Sequence, residues 1–366
     1  MTDNKLNSKT KKVRDSNMEL LRLVAMLLVL IVHANFRALP VPDYTHVHNN
    51  PSSAFLMFMT EGFSIYAVDL FVLLSGWYGI RFKFKRLVEL VFQVLFFGLF
   101  AIGVCAIFAP QELTHDVLSR LLLLGENDYW FVKTYVALYI LSPVLNAFVE
   151  QASRKQFAIV LLSFFSFQFL YGWAFESTRW LVAGYSLPSF IGLYLLARFM
   201  RLHPLKCWQL SRWIDLGIYL VIVAFLTISM FVIKQHAGRG GALYFYICPL
   251  VIVGAMHLML FFSKFSFRSR VVNWLAISAF AAYLTQSSSF IGKPFYDEII
   301  LGWFNNEPRF QFIIYTGLLV LAVFFGSIMI DKLRILLWEL ASKPFSKHLS
   351  MSVQSDKVQD KINMTN

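Results

Sequence analysis

Blocks of about twenty apolar residues, cut by short polar or basic segments, decide what this chain can fold into. At about 1.5 Å of rise per residue, twenty helical residues cross the roughly 30 Å hydrocarbon core of a bilayer. The blocks fall at 18–38, 55–80, 87–108, 130–149, 157–175, 182–200, 213–233, 242–262, 273–292 and 310–330. Lipid offers no partner for backbone N–H and C=O groups, so each block must satisfy its own and predicts a helix. The expected fold class is therefore all-α, a polytopic integral membrane bundle of about ten transmembrane helices. Composition agrees: 58% of the residues are hydrophobic and 15% charged, against about a quarter charged in soluble domains.

Charge sets the orientation. The net charge of +12 would suit a nucleic-acid binder, but no soluble folded segment is left to carry such a site, so nucleic acid is excluded as a partner. Basic residues sit instead between the blocks. With the amino terminus in the cytosol, 25 of the 33 Lys and Arg residues fall on the cytosolic side. That is the positive-inside bias, and it places both termini in the cytosol.

Residues 1–16 form a polar, basic N-terminus expected to be disordered, 17–335 a single transmembrane domain, and 336–366 a cytosolic, mostly disordered tail. The first apolar run continues through Val32, His33 and Ala34 without a small-x-small cleavage site, so it reads as a retained span. Cys105, Cys207 and Cys248 lie far apart, with neither metal-ligand nor disulfide-framework spacing. No metal is expected.

Two residues on the first block carry chemistry. Arg22 and His33 are eleven positions apart, which leaves them about 20° apart around a helix and roughly 16 Å apart along it. They share one face, Arg22 near the cytosolic mouth and His33 deeper. Titratable groups at membrane depth are costly and face a protein interior or a cavity. The alternatives are ordinary: Arg22 snorkelling to headgroups, His33 bonding a neighbouring helix.

Three stretches carry a family resemblance. Ser16-Asn17-Met18-Glu19-Leu20-Leu21-Arg22-Leu23-Val24-Ala25-Met26, followed by His33, resembles the first helix of acyltransferase family 3, with its pattern of Arg, ten residues, then His. Val68-Asp69-Leu70-Phe71-Val72-Leu73-Leu74-Ser75-Gly76-Trp77 is similar to that family's second-span ending, an aromatic-rich run closing in Ser-Gly-aromatic. Tyr129-Trp130-Phe131-Val132-Lys133-Thr134-Tyr135, with Ser142-Pro143 beyond, resembles the fourth-span signature of exopolysaccharide-type members. The resemblance runs in order from about 16 to 335.

It implies an O-acyltransferase of the bacterial cytoplasmic membrane. Such an enzyme moves an acyl group, usually acetyl, from acyl-CoA to a hydroxyl of a surface polysaccharide or lipid-linked glycan. Acyl-CoA is then a co-substrate, with no permanently bound cofactor, and membrane lipid the surrounding partner. His33 is the expected general base, since imidazole titrates near neutrality. Arg22, Arg81, Lys85 and Arg86 would form a cationic mouth for the CoA phosphates, although any of the loop charges also serves as plain topogenic charge. Asp69 would orient His33 or pair with Arg22, or hold a structural partner. Tyr129 and Trp130 would stack on an acceptor sugar, or anchor the interface as aromatic pairs do. Ser75-Gly76 reads as a close helix contact.

There is one departure. Where the family reads Tyr-Leu-Ile-His, this chain has Tyr283-Leu284-Thr285-Gln286, and glutamine hydrogen-bonds without titrating. Gln286 is expected to strut the acceptor side of the cavity. Two rival readings survive at this level: a transporter or flippase of lipid-linked glycans, and an inactive acyltransferase-like partner protein. The threading itself predicts that reporter fusions after residues 83, 154, 205, 267 and 340 report cytosol. Fusions near 118, 178, 237 and 300 report the opposite side, and an inverted pattern would overturn the orientation.

Overall fold

The computed structural model describes residues 16–113, 117–121, 129–176, 178, 180–238 and 240–363, with side chains described up to 340 apart from 119, 120 and 182. Residues 1–15 of the expected disordered N-terminus lie outside the described residues, whereas 336–363 of the expected tail continue as helix. Sixteen helices follow in chain order, beginning with α1 (Ser16–Val32), α2 (Tyr44–Asn49), α3 (Pro51–Ser64), α4 (Ala67–Tyr78), α5 (Phe84–Phe108) and α6 (Val117–Leu121). Next come α7 (Trp130–Gln151), α8 (Arg154–Phe167), α9 (Leu187–Leu202), α10 (Arg212–Gln235) and α11 (Pro249–Ser263). The last are α12 (Arg270–Ala276), α13 (Phe280–Gln286), α14 (Ser289–Gly292), α15 (Glu298–Asn306) and α16 (Arg309–Asn363). Among the described residues there is no strand.

Among the described residues, eight helical stretches are long and apolar enough to cross a bilayer: Ser16–Arg37, Pro51–Tyr78, Phe84–Phe108, Trp130–Gln151, Arg154–Ala174, Arg212–Gln235, Gly240–Ser263 and Arg309–Leu340. The two other blocks fold differently. Helix α9 has 16 residues, about 24 Å of rise, and most of its side chains are buried among other helices. The block at 273–292 is broken between α12 and α13 and again between α13 and α14. Interrupted helix is tolerated at membrane depth only where protein surrounds it; α13 meets that condition, with every residue from Ala281 to Gln286 buried.

Helix α1 is the centre of the bundle and packs against α3, α4, α11, α12, α13 and α16. Its start is tied down by polar side chains. Asn17 Nδ2 donates to the carbonyls of Phe262 at 3.1 Å and Phe265 at 2.9 Å, at the C-terminal end of α11 where orphan carbonyls need donors. Ser16 Oγ accepts from the Ser269 N–H at 2.8 Å. The C-terminal end of α1 widens into a π-helical turn, His33–Arg37, marked by the Ala38 N–H donating to the His33 carbonyl at 3.0 Å. Single π turns within α-helices often mark functional positions.

Helices α4 and α9 approach closely at Gly76. A Cβ there would lie 2.5 Å from the Tyr194 carbonyl oxygen and 2.8 Å from the Ala197 Cβ. Small residues permit such approach where lipid removes the hydrophobic drive between helices. Gly76→Ala is therefore expected to force α4 from α9 at a cost of ~1–3 kcal/mol, as overpacking does. The measurement is the melting temperature of purified protein in nanodiscs; an unchanged value would contradict the contact.

Candidate functional site

The C-terminal end of α1 meets the broken helix within the bundle. His33 and Arg37 are four residues apart on the π turn and so share a face. That face turns toward Gln286 at the end of α13. The side-chain amide of Gln286 donates through nitrogen to His33 Nδ1, and its oxygen accepts from Arg37 Nη2 and, at 3.3 Å, from Arg37 Nη1. Arg37 Nη2 also donates to the Gln286 main-chain carbonyl at 3.3 Å and to Asp297 Oδ1 at 2.8 Å. Asp297, Arg37, Gln286 and His33 thus form one chain of hydrogen bonds running inward from a partly exposed ion pair.

On its other side His33 lines a cavity of about 20 Å³, room for one water molecule. Its walls are aromatic. Phe71 comes from α4, Trp130 and Phe131 from α7, Tyr283 from α13, and Tyr246 from the turn before α11. The rings interlock: Trp130 lies edge-on to Tyr185 at 4.5 Å, and Phe131 edge-on to Tyr283 at 5.8 Å. A mostly apolar, aromatic wall beside one imidazole is the setting in which a few polar groups orient a small reactant.

The N-terminal end of α1 is cationic. Arg22 Nη1 pairs with Glu19 Oε2 at 2.5 Å and stays about one-third exposed. Arg81, Lys85 and Arg86 are exposed. The backbone of their loop is nonetheless fixed. Tyr194 Oη accepts from the Ile80 N–H at 3.1 Å, Asn146 Nδ2 donates to the Ile80 carbonyl at 2.7 Å, and Tyr139 Oη accepts from the Lys83 N–H at 2.9 Å. Beside it, the Arg201 guanidinium lies over the Trp77 ring at 4.9 Å.

Other expected site residues land elsewhere. Asp69 meets neither His33 nor Arg22: it is fully buried and neither carboxyl oxygen has a hydrogen-bond partner. Ala67, Val68 and Phe71 line the cavity, and Asp69 stands roughly 150° around the helix from their mean direction. Tyr129 is buried and donates to the Leu284 carbonyl of α13 at 2.8 Å; Trp130, its neighbour, reaches the cavity. Ser75 Oγ lies 3.1 Å from Tyr135 Oη and donates to the Phe71 carbonyl at 2.9 Å. Glu61 accepts from Asn35 Nδ2 at 3.0 Å, and Asn35 also donates to the Met57 carbonyl, so this pair ties α1 to α3 away from the cavity.

Arg37, Asn35 and Asp297 escaped the sequence reading. Arg37 had a signal, a cation four residues beyond the histidine on the same face. Asp297 had none, since 260 positions separate it from Arg37.

A family model described as an acyltransferase domain matches residues 15–332. No curated protein and no solved structure matches the chain. The geometry of Asp69 predicts that Asp69→Asn keeps near-normal activity in whatever reaction His33 serves, measured against His33→Ala in the same membranes. A loss as large as that of the histidine variant would mean that Asp69 acts at the site.

Proposed function

The chain belongs to acyltransferase family 3, and from that premise we propose that it transfers an acyl group from acyl-CoA to a glycan hydroxyl. The acyl group is acetyl, and the acceptor is a surface polysaccharide or its lipid-linked precursor. The enzyme sits in a bacterial cytoplasmic membrane with both termini in the cytosol. One observation carries this reading: a single central helix bears a cation near its N-terminal end and, eleven residues on, a histidine lining an aromatic cavity within the bundle.

The chemistry follows from those positions. CoA phosphates bind at the mouth formed by Arg22, Arg81, Lys85 and Arg86, where Arg forks match phosphate oxygens. The pantetheine arm extends along α1 toward His33. The acceptor hydroxyl oxygen attacks the thioester carbonyl and gives its proton to the imidazole. The C–S bond then breaks, the leaving thiolate takes the proton, and ester and free CoA thiol result. Trp130 offers a ring face for the acceptor sugar, and Gln286 holds the His33 ring in place. Room for an acyl thioester requires the aromatic side chains around the cavity to turn aside.

Purified full-length protein in nanodiscs, given labelled acetyl-CoA and a lipid-linked glycan, is expected to form labelled ester. His33→Ala should lower the rate by ~10²–10⁴-fold, the usual worth of a general base. Arg22→Ala should chiefly raise KM for acetyl-CoA, and Arg22→Lys should recover only part of it because a point charge replaces a fork. Glycan movement without acyl-CoA and without ester would replace the enzyme with a transporter. Full turnover in His33→Ala would remove the histidine from its role.

A further inference from the structure

Two groups face His33 Nδ1, and both are donors. Arg37 Nη1 lies 3.4 Å away, and a guanidinium has no lone pair to offer. The Gln286 amide is the second, and its orientation is also decided by Arg37. Arg37 Nη2 and Nη1 converge on one end of that amide, which must therefore be the oxygen, leaving the nitrogen toward the histidine. A neutral imidazole carries one proton, and a nitrogen that accepts from two donors cannot hold it. The proton is on Nε2.

The arrangement is held firmly. Asp297 Oδ1 accepts from both Arg37 Nη2 and Nε, at 2.8 and 3.3 Å, so the guanidinium cannot rotate without losing an ion pair. Gly292 closes the space beside it: a Cβ there would stand 2.9 Å from Arg37 Nη2 and 2.2 Å from the Gln286 carbonyl oxygen.

We propose that Arg37 is a positioning residue that sets the tautomer of His33 through Gln286, so that the resting protein presents Nε2–H to the cavity and the base-competent form appears only when the Gln286 amide turns over. With the amide oxygen toward His33, Nδ1 carries the proton and Nε2 has the lone pair. The exchange balances: one proton leaves Nε2 to water, one reaches Nδ1 from water, and the ring stays neutral. The turn becomes possible when Arg37 releases the amide oxygen, an event near the exposed Asp297 end of the chain. Such a latch keeps the histidine from activating water against the thioester before an acceptor is present. This last consequence rests on the acyltransfer reading above; the tautomer does not.

The test reads the tautomer directly. Full-length protein labelled with 15N-histidine is placed in nanodiscs, and the His33 resonances are assigned by their loss in His33→Gln. Wild type is expected to show an unprotonated Nδ1 and a protonated Nε2. Gln286→Glu leaves Arg37 and Asp297 intact but offers His33 only an acceptor, so the proton should move to Nδ1. Arg37→Met should move it the same way, and Arg37→Lys should give a mixture. In the acyltransfer assay, Gln286→Glu and Arg37→Met should raise acceptor-independent acetyl-CoA hydrolysis several-fold. A wild-type His33 protonated on Nδ1, or one whose tautomer ignores both substitutions, overturns the proposal whether or not the protein proves to be an acyltransferase. The expected tautomers with no acetyl-CoA turnover would leave the positioning role standing and remove only the acyltransfer reading.

Discussion

A backbone carbonyl freed by a helix break has no water to turn to inside a bilayer, and here tyrosine and asparagine side chains of other helices supply the missing donors. Tyr296 Oη donates to the Leu30 carbonyl at 2.7 Å, just before α1 widens into its π turn. Tyr129 donates to Leu284 near the end of α13, Tyr219 to Phe63 near the end of α3, and Tyr244 to Phe58 at 2.9 Å. Asn17 does the same for the end of α11. Apart from the bond to Phe58, inside α3, these bonds fall where the chain departs from regular helix, and the candidate site is assembled from two of those departures. The π turn puts His33 beside Arg37, and the broken helix puts Gln286 opposite both.

The same bonds explain why interhelical packing can be loose in hydrophobicity yet specific in register. Lipid tails compete evenly with leucine for leucine, so apolar contact alone does not choose among arrangements of the helices. A tyrosine hydroxyl that reaches only one carbonyl does choose. Gly76 adds the complementary restriction, a place where only a hydrogen fits between α4 and the main chain of α9.

Much of the fold was legible because bilayer thickness imposes a length on the sequence. The apolar blocks fell where helices stand, and the eleven-residue spacing put Arg22 and His33 on one helix with the cation at its basic end. The breaks were not legible. The block at 273–292 has no proline or charge at its interruptions, only Ile277-Ser278-Ala279 and Ser287-Ser288, and what permits them is burial by other helices, which no local pattern records. The placement of Asp69 was not legible either, because being one span from the histidine says nothing about direction around α4, and its carboxyl oxygens meet no hydrogen-bond partner. Gln286 drew notice as a departure from the family pattern, but its two partners lie about 250 positions earlier and became visible only with the helices side by side.

The loop between α4 and α5 has a consequence for how such a protein can change. Its main chain is gripped by Tyr139, Asn146 and Tyr194, while the side chains of Arg81, Lys85 and Arg86 project free of the bundle. Stability is thus written in one set of residues and charge in another. Lineages can alter the number and kind of cations there, or an engineer can, without disturbing the scaffold that carries them. That separation makes this short loop the part of the molecule most open to new specificity.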